Sequence, residues 1–283
     1  MPKTHSPETL TALSRLFARH RDRVLIVPDG DGSERPGAKQ VVVDVGKIRG
    51  LAGISRRAGS RQIGTGSTLG RVLADIDGEN GLLRQAVSMM ANPLVRNRIT
   101  VLTALDPASH YFDLATALVS LKARVRLHTG KSSRQVSIGE YLLAAAEGLK
   151  AGEFPSAVDF PVLESTRNVG FFRVNPGRGK PTVSASVVTR LRRNIAIDPE
   201  IIVSSSTVIP VPAPRASKAL VREALTEANV KKAAEIAASE MLELTGIEEG
   251  EDDPYERSLI EVAVSRAVRR VLETPAAAGS LRS

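Results

Sequence analysis

Asn92-Pro93-Leu94-Val95-Arg96-Asn97-Arg98-Ile99-Thr100-Val101-Leu102-Thr103-Ala104-Leu105-Asp106-Pro107-Ala108-Ser109-His110-Tyr111-Phe112-Asp113 is the stretch on which the reading of this chain turns. It lies between two predicted helices, 82–91 and 112–121. Asp113 is a good residue to open the second of them, because a carboxylate there meets the exposed amides and the positive end of the helix dipole. Further out, Val125-Arg126-Leu127-His128 and Val136-Ser137-Ile138 alternate apolar and polar residues, the period-two mark of strands with one wet face. Helices are expected at 69–76 and 140–149, and 152–161 reads as a loop.

Toward the N-terminus, Ser6-Pro7-Glu8 reads as an N-cap, a proline at the first helical position and an acidic first turn. Leu10, Leu13, Leu16 and Phe17 follow at helical spacing, so a first helix is expected to reach about His20. Val24-Leu25-Ile26-Val27 and Val41-Val42-Val43 are unbroken apolar runs that suit buried, parallel strands. Toward the C-terminus, strands are expected at 183–191 and 201–209, then three helices after Pro214. The last, 258–273, places Ile260, Ala263, Ala267 and Val271 on one face and Glu261, Ser265, Arg269 and Glu273 on another. This order indicates an α+β chain with units at 1–53, 54–165 and 166–275 and a tail at 276–283.

The 283 residues allow two or three domains of ~100–200 residues each. Hydrophobic residues make up 42% but aromatics only 3%, so the core must be built from Ala, Val, Leu and Ile, and stacking platforms for nucleobases are scarce. The absence of cysteine excludes disulfides, thiol nucleophiles and thiolate-ligated iron–sulfur or zinc centres on this chain. The longest apolar stretches, such as 142–146, fall far short of the ~20 residues that cross a bilayer, which points to a soluble, cytoplasmic protein with no membrane partner. A net charge of +8 suggests attraction to polyanions or to an acidic protein. Clusters such as Arg190-Leu191-Arg192-Arg193, and Arg266 with Arg269-Arg270, read as solvated faces, since no nucleic-acid-binding motif accompanies them.

His5, His20, His110 and His128 are dispersed, which argues against a metal site. No serine-nucleophile elbow, Walker loop or Gly-x-Gly-x-x-Gly opens a predicted helix. Ile63-Gly64-Thr65-Gly66-Ser67-Thr68-Leu69 is the nearest thing to a glycine loop, a strand-to-helix turn with permissive glycines.

Four segments in order resemble the FAD-binding medium subunit of molybdenum hydroxylases, the family of the carbon monoxide dehydrogenase flavoprotein and the xanthine dehydrogenase flavin domain. They are 43–54 (Val43-Asp44-Val45-Gly46 through Gly53-Ile54), 63–69, 92–101 with the following Asp113-Leu114, and Asp253-Pro254-Tyr255-Glu256-Arg257. The resemblance spans nearly the whole chain. It implies a two-subdomain FAD-binding fold of the molybdopterin dehydrogenase and vanillyl-alcohol-oxidase type, followed by an antiparallel sheet with a helical bundle. It also implies partners, an iron–sulfur small subunit and a molybdopterin large subunit, and no catalytic acid or base on this chain. If FAD binds, the matching positions are Thr100, Thr103, Ser109, Asp113 and Arg173, with Gly64, Thr65 and Gly66 nearby.

Two departures bear on that cofactor. Where the family has a glycine loop cradling the FAD pyrophosphate, this chain has Val27-Pro28-Asp29-Gly30-Asp31-Gly32-Ser33-Glu34, whose carboxylates would repel a phosphate. The family's second cradle, Gly-Gly-Asn, is replaced by Leu102-Thr103-Ala104, whose side chains obstruct close approach of a ligand to the backbone. Three readings therefore stand open: an electron-transfer subunit with FAD, a flavin-free structural subunit of the same kind of complex, and a nucleic-acid binder suggested by charge alone.

Overall fold

The computed structural model describes residues 4–20, 24–27, 41–48, 50–57, 59–76, 81–107, 109, 113–129, 132–150, 152–175, 177, 182–205, 208–244 and 254–273. The chain forms two units: unit 1 is Met1–Asp75, Ala91–Tyr111 and Lys122–Pro161, and unit 2 is Ile76–Met90, Phe112–Leu121 and Val162–Ser283. Among the described residues no helix is long and apolar enough to cross a membrane.

In unit 1, strand β1 (Thr4–His5) and strand β2 (Val24–Val27) both pair in parallel with β3 (Val41–Asp44), in the order β1-β3-β2. Helix α1 (Leu10–His20) buries Leu13 completely in a cluster with Val43, Val45, Ile48, Leu51 and Phe154. The helix starts later than the Ser6-Pro7 signal suggests. Residues 4 and 5 are held extended by β3, and the first turn is capped instead by Thr9, whose hydroxyl accepts the Ala12 N–H at 3.2 Å.

A five-stranded antiparallel sheet completes the unit. Its strands are β4 (Ile54–Arg57), β5 (Ser60–Gly64), β6 (Arg124–Thr129), β7 (Ser132–Ser137) and β8 (Glu153–Pro161), in the order β4-β5-β8-β6-β7. The segment read as a loop is thus the central strand. Its prolines are compatible with pairing because Pro155 sits beside a register shift: Leu127 pairs with Pro155 and Arg126 with Ala157, which leaves Ser156 as the extra residue of a bulge. Ser156 repairs the gap by donating its hydroxyl to the Arg126 carbonyl at 3.1 Å. Helices α2 (Leu69–Asp75), α4 (Pro93–Arg96), α5 (Val101–Ala104) and α7 (Ile138–Glu147) belong to the same unit. A reciprocal capping box between Ser137 and Glu140 starts α7.

Unit 2 is built on an antiparallel sheet of β9 (Arg167–Val174), β10 (Val183–Arg192), β11 (Ile195–Ala196), β12 (Glu200–Ser205) and β13 (Val211–Pro212). Strand β9 was not foreseen. In β10, Val183, Ala185 and Val187 join the apolar core formed with α9 (Glu227–Glu243) and α10 (Pro254–Glu273), and α8 (Pro214–Ala219) adds Ala216 to it. The alternate residues, Ser184 and Ser186, meet α6 (Asp113–Ser120) on the other face, so the strand is covered on both sides. Thr116 of α6 lies 2.7 Å from the Ser204 hydroxyl and 3.1 Å from that of Ser184, and Ser120 bonds Ser186. Together these make a buried ladder of hydroxyls.

The expected stripe of α10, Ile260, Ala263, Ala267 and Val271, is fully buried. Gly170 is what lets that helix sit close, because a Cβ there would lie 1.9 Å from the Ala267 carbonyl oxygen. Of the basic cluster on α10, Arg266 and Arg270 lie over the Phe172 ring at 4.9 and 5.3 Å, and Arg269 pairs with Glu227 at 3.0 Å. Helices α3 (Gly81–Met90) and α6, which the sequence reading grouped with residues 54–165, pack in unit 2. The tail at 276–283 lies outside the described residues.

Candidate functional site

Six of the anticipated site residues, Gly64, Thr65, Gly66, Thr100, Thr103 and Ser109, belong to unit 1, and two, Asp113 and Arg173, to unit 2. In unit 1 the turn after β5 is tied down at every amide from 64 to 67. Gly64 donates to Gly53 O (3.0 Å), Thr65 to Ser156 O (3.1 Å), Gly66 to Leu51 O (2.7 Å) and Ser67 to Gly64 O (3.0 Å). A Cβ at Gly64 would stand 2.2 Å from the Leu51 carbonyl oxygen, so this glycine serves close packing of backbone on backbone. The Thr65 hydroxyl is buried and donates to Pro155 O at 2.7 Å.

The 92–105 segment meets that turn. Asn92 caps α4, accepting the Val95 N–H at 3.0 Å, with Pro93 in the first turn. Thr100 caps α5: its hydroxyl accepts the Thr103 N–H at 3.3 Å and lies 3.2 Å from the Thr103 hydroxyl. The Val101 N–H donates to Ser67 O (2.9 Å), Leu102 to Thr65 O (2.8 Å), Ala104 to Thr100 O (3.0 Å) and Leu105 to Val101 O (3.0 Å). The Leu102 side chain packs against the Leu13, Val43 and Leu51 cluster. The Ser109 N–H donates to Asp106 O at 2.9 Å.

Beside this junction lies a cavity of about 520 Å³, walled by Val45, Ile48 and Leu51 and edged by Ser67, Thr68, Thr100, Arg71 and Arg98. Arg71 and Arg98 were not assigned from sequence. Arg98 lies within the quoted 92–101 motif, but spacing alone does not say which arginine of Arg96-Asn97-Arg98 faces a cavity. The N–H groups of Thr68 and Thr100 have no acceptor among the described residues. These two residues face each other across an antiparallel bridge whose bonds are made by Leu69 to Ile99 and Val101 to Ser67, so their own N–H groups diverge.

In unit 2, Arg173 Nε lies 3.0 Å from Asp113 Oδ2, with the two side chains 8% and 4% exposed. The contact is one of charge on charge, since neither atom finds hydrogen-bond geometry. Arg173 also donates Nη1 to Met90 O at 2.6 Å, binding the carbonyl end of α3. Burial pushes the Asp113 carboxyl above its ordinary value, against the opposing pull of Arg173, the Ser184 hydroxyl and its own amide.

A diphosphate is held by several backbone N–H groups that converge on it. The carboxylate-bearing segment 28–34 lies outside the described residues. At the second turn the amides from 101 to 105 are all bonded internally, and the two spare ones diverge, so the residues present there do not fit a dinucleotide diphosphate.

Comparison with known proteins adds to this geometry. The chain resembles in fold a chain of carbon monoxide dehydrogenase from Hydrogenophaga pseudoflava, at 19% identity and TM-score 0.80 over 96% of this chain and 97% of that one. A chain of quinoline 2-oxidoreductase from Pseudomonas putida 86 is similar at 20% identity and TM-score 0.80, covering 100% of this chain and 99% of that one. Reconstituted CO dehydrogenase from Oligotropha carboxidovorans gives 19% and 0.78 over 97% and 98%. No curated protein sequence matches the chain. The family described as the FAD binding domain in molybdopterin dehydrogenase matches residues 3–163, more than half of the sequence. With its α+β architecture and that match, the chain belongs to the family of FAD-binding domains of molybdopterin dehydrogenases.

Proposed function

We propose that the chain is the medium, FAD-subunit-like component of a molybdenum-hydroxylase-type oxidoreductase complex in the cytoplasm, beside an iron–sulfur small subunit and a molybdopterin large subunit. The observation that carries this reading is family membership over residues 3–163 combined with a fold likeness that runs almost end to end in both chains compared. With no cysteine of its own, the chain takes any iron–sulfur centre from a partner. Redox chemistry on the substrate then belongs to the large partner.

Two roles are open to such a component. One is to pass electrons from the iron–sulfur partner to FAD, and it requires a flavin held here. The other is to serve as a flavin-free structural member, and the closed turn at 101–105 favours it. The test of the shared reading is affinity purification of the tagged full chain from its native cells. Two further chains are expected, with an iron–sulfur absorption spectrum and molybdenum by elemental analysis. Recovery of the chain alone, or with partners that lack both, refutes the assignment.

A further inference from the structure

We infer that the positions resembling the family's flavin contacts have become structural joints inside each unit, so that the chain folds without a flavin dinucleotide. The inference rests on the proposed place in a hydroxylase complex and adds what this component does there: it holds its shape as protein alone.

In unit 1 the turn that would cradle a phosphate is a knot of three segments. Gly53 and Leu51 accept from Gly64 and Gly66, and Ser67 and Thr65 accept from Val101 and Leu102. The Ser67 hydroxyl closes the remaining side by accepting the Gly53 N–H at 2.8 Å. Thr100, a polar side chain at the edge of the cavity, is spent on capping Thr103. Leu102 seats its side chain in the apolar cluster, so opening this turn to a ligand would expose that side chain and release its amide from Thr65.

In unit 2 the same conversion is made with charges. Asp113 and Arg173 neutralise each other almost wholly buried, and Arg173 holds the end of α3. A ligand that recruited either group would have to break a buried ion pair and leave the other charge stranded. A diphosphate needs several open amides that converge on it, whereas those from 101 to 105 are already bonded and the two left without an acceptor among the described residues, at Thr68 and Thr100, diverge.

The experiment uses the purified full chain and, where it forms, the purified complex. Flavin released by acid is quantified by fluorescence, and thermal unfolding is followed with and without added FAD. The expected result is flavin far below one per chain, with an unfolding midpoint that FAD does not move. Thr100→Val is expected to lower the midpoint while flavin stays at the same trace level. Equimolar flavin in the wild type, or a midpoint that rises with FAD, overturns the inference, and neither result depends on the variant folding. A complex that carries molybdenum, iron–sulfur centres and flavin would overturn this inference and leave the proposed place intact. A flavin-free chain without partners would do the reverse.

Discussion

Replacing Arg173 by Met removes one half of a buried ion pair and leaves the other half in place. Asp113, 4% exposed, would then face the unit 2 interior as an uncompensated carboxylate, and Met90 O would lose its 2.6 Å donor. Breaking a buried pair in this way costs about 3–5 kcal/mol, which for a body of this size lowers the unfolding midpoint by roughly 6–20 °C. The penalty should also depend on pH. Burial already raises the Asp113 carboxyl above its ordinary 3.8, so the folded state holds the proton more tightly than the unfolded chain. The contribution of this group to stability therefore falls as pH climbs from 3.8 toward the raised value. Arg173 opposes that rise, and without it the folded carboxyl titrates higher still and the losing window extends upward. Arg173→Met should be mild near the acid end and severe at neutral pH. The measurement is thermal unfolding by circular dichroism across a pH series, for the single variant and for Arg173→Met/Asp113→Leu. The apolar pair should recover most of the loss, because it strands no charge. A single-variant cost under about 1 kcal/mol, or one that does not vary with pH, would refute the reasoning.

Three further outcomes follow from the packing and the caps. Gly170→Ala forces a Cβ to within 1.9 Å of Ala267 O, so α10 must move off β9, at a cost of about 3 kcal/mol or more in chemical denaturation. Leu102→Ala removes a partly buried side chain from the Leu13 and Val43 cluster and should destabilise unit 1 by about 2 kcal/mol, a loss that added FAD does not restore. The Glu140 carboxyl is held below its ordinary 4.5, first by the Ser137 amide and next by the Ser137 hydroxyl. Its contribution is therefore present above 4.5 and lost as pH falls through the depressed value. Ser137→Ala should shift that titration partway back up, as read by carbon-13 NMR of Glu140, and an unchanged titration would show that the hydroxyl plays no part.

Elements whose signal is local were legible before any coordinates. The apolar runs of β2 and β3 pair in parallel as expected, and the Ile260, Ala263, Ala267 and Val271 stripe is the buried face of α10. What escaped depends on partners distant in sequence. Strand β8 looks like a loop because Gly152 precedes it and Pro155 interrupts it, and only pairing with β6 shows that Pro155 stands beside a bulge. Gly170 likewise reads as a breaker within β9, while its role is set by a helix backbone nearly a hundred residues later. At the site, Thr100 and Thr103 were legible as polar positions. Their use as a cap, and the capture of the Leu102 amide by Thr65 O, could not be read from spacing. Nor could the Asp113–Arg173 pair, since a carboxylate suited to a helix start gives no sign of which cation will neutralise it.

The rungs that join α6 to β10 and β12 bear on how unit 2 avoids misassembly. Apolar side chains tolerate sliding, because any greasy neighbour will do, but Thr116, Ser120, Ser184, Ser186 and Ser204 are satisfied in one alignment only. A helix displaced along the strands by one residue would bury several alcohols with nothing to bond, each miss costing about 1–3 kcal/mol. The row thus works as a key that admits α6 in a single position, even though that helix's own buried aliphatic residues, Leu114, Ala115, Ala117 and Leu118, could have been accepted in several.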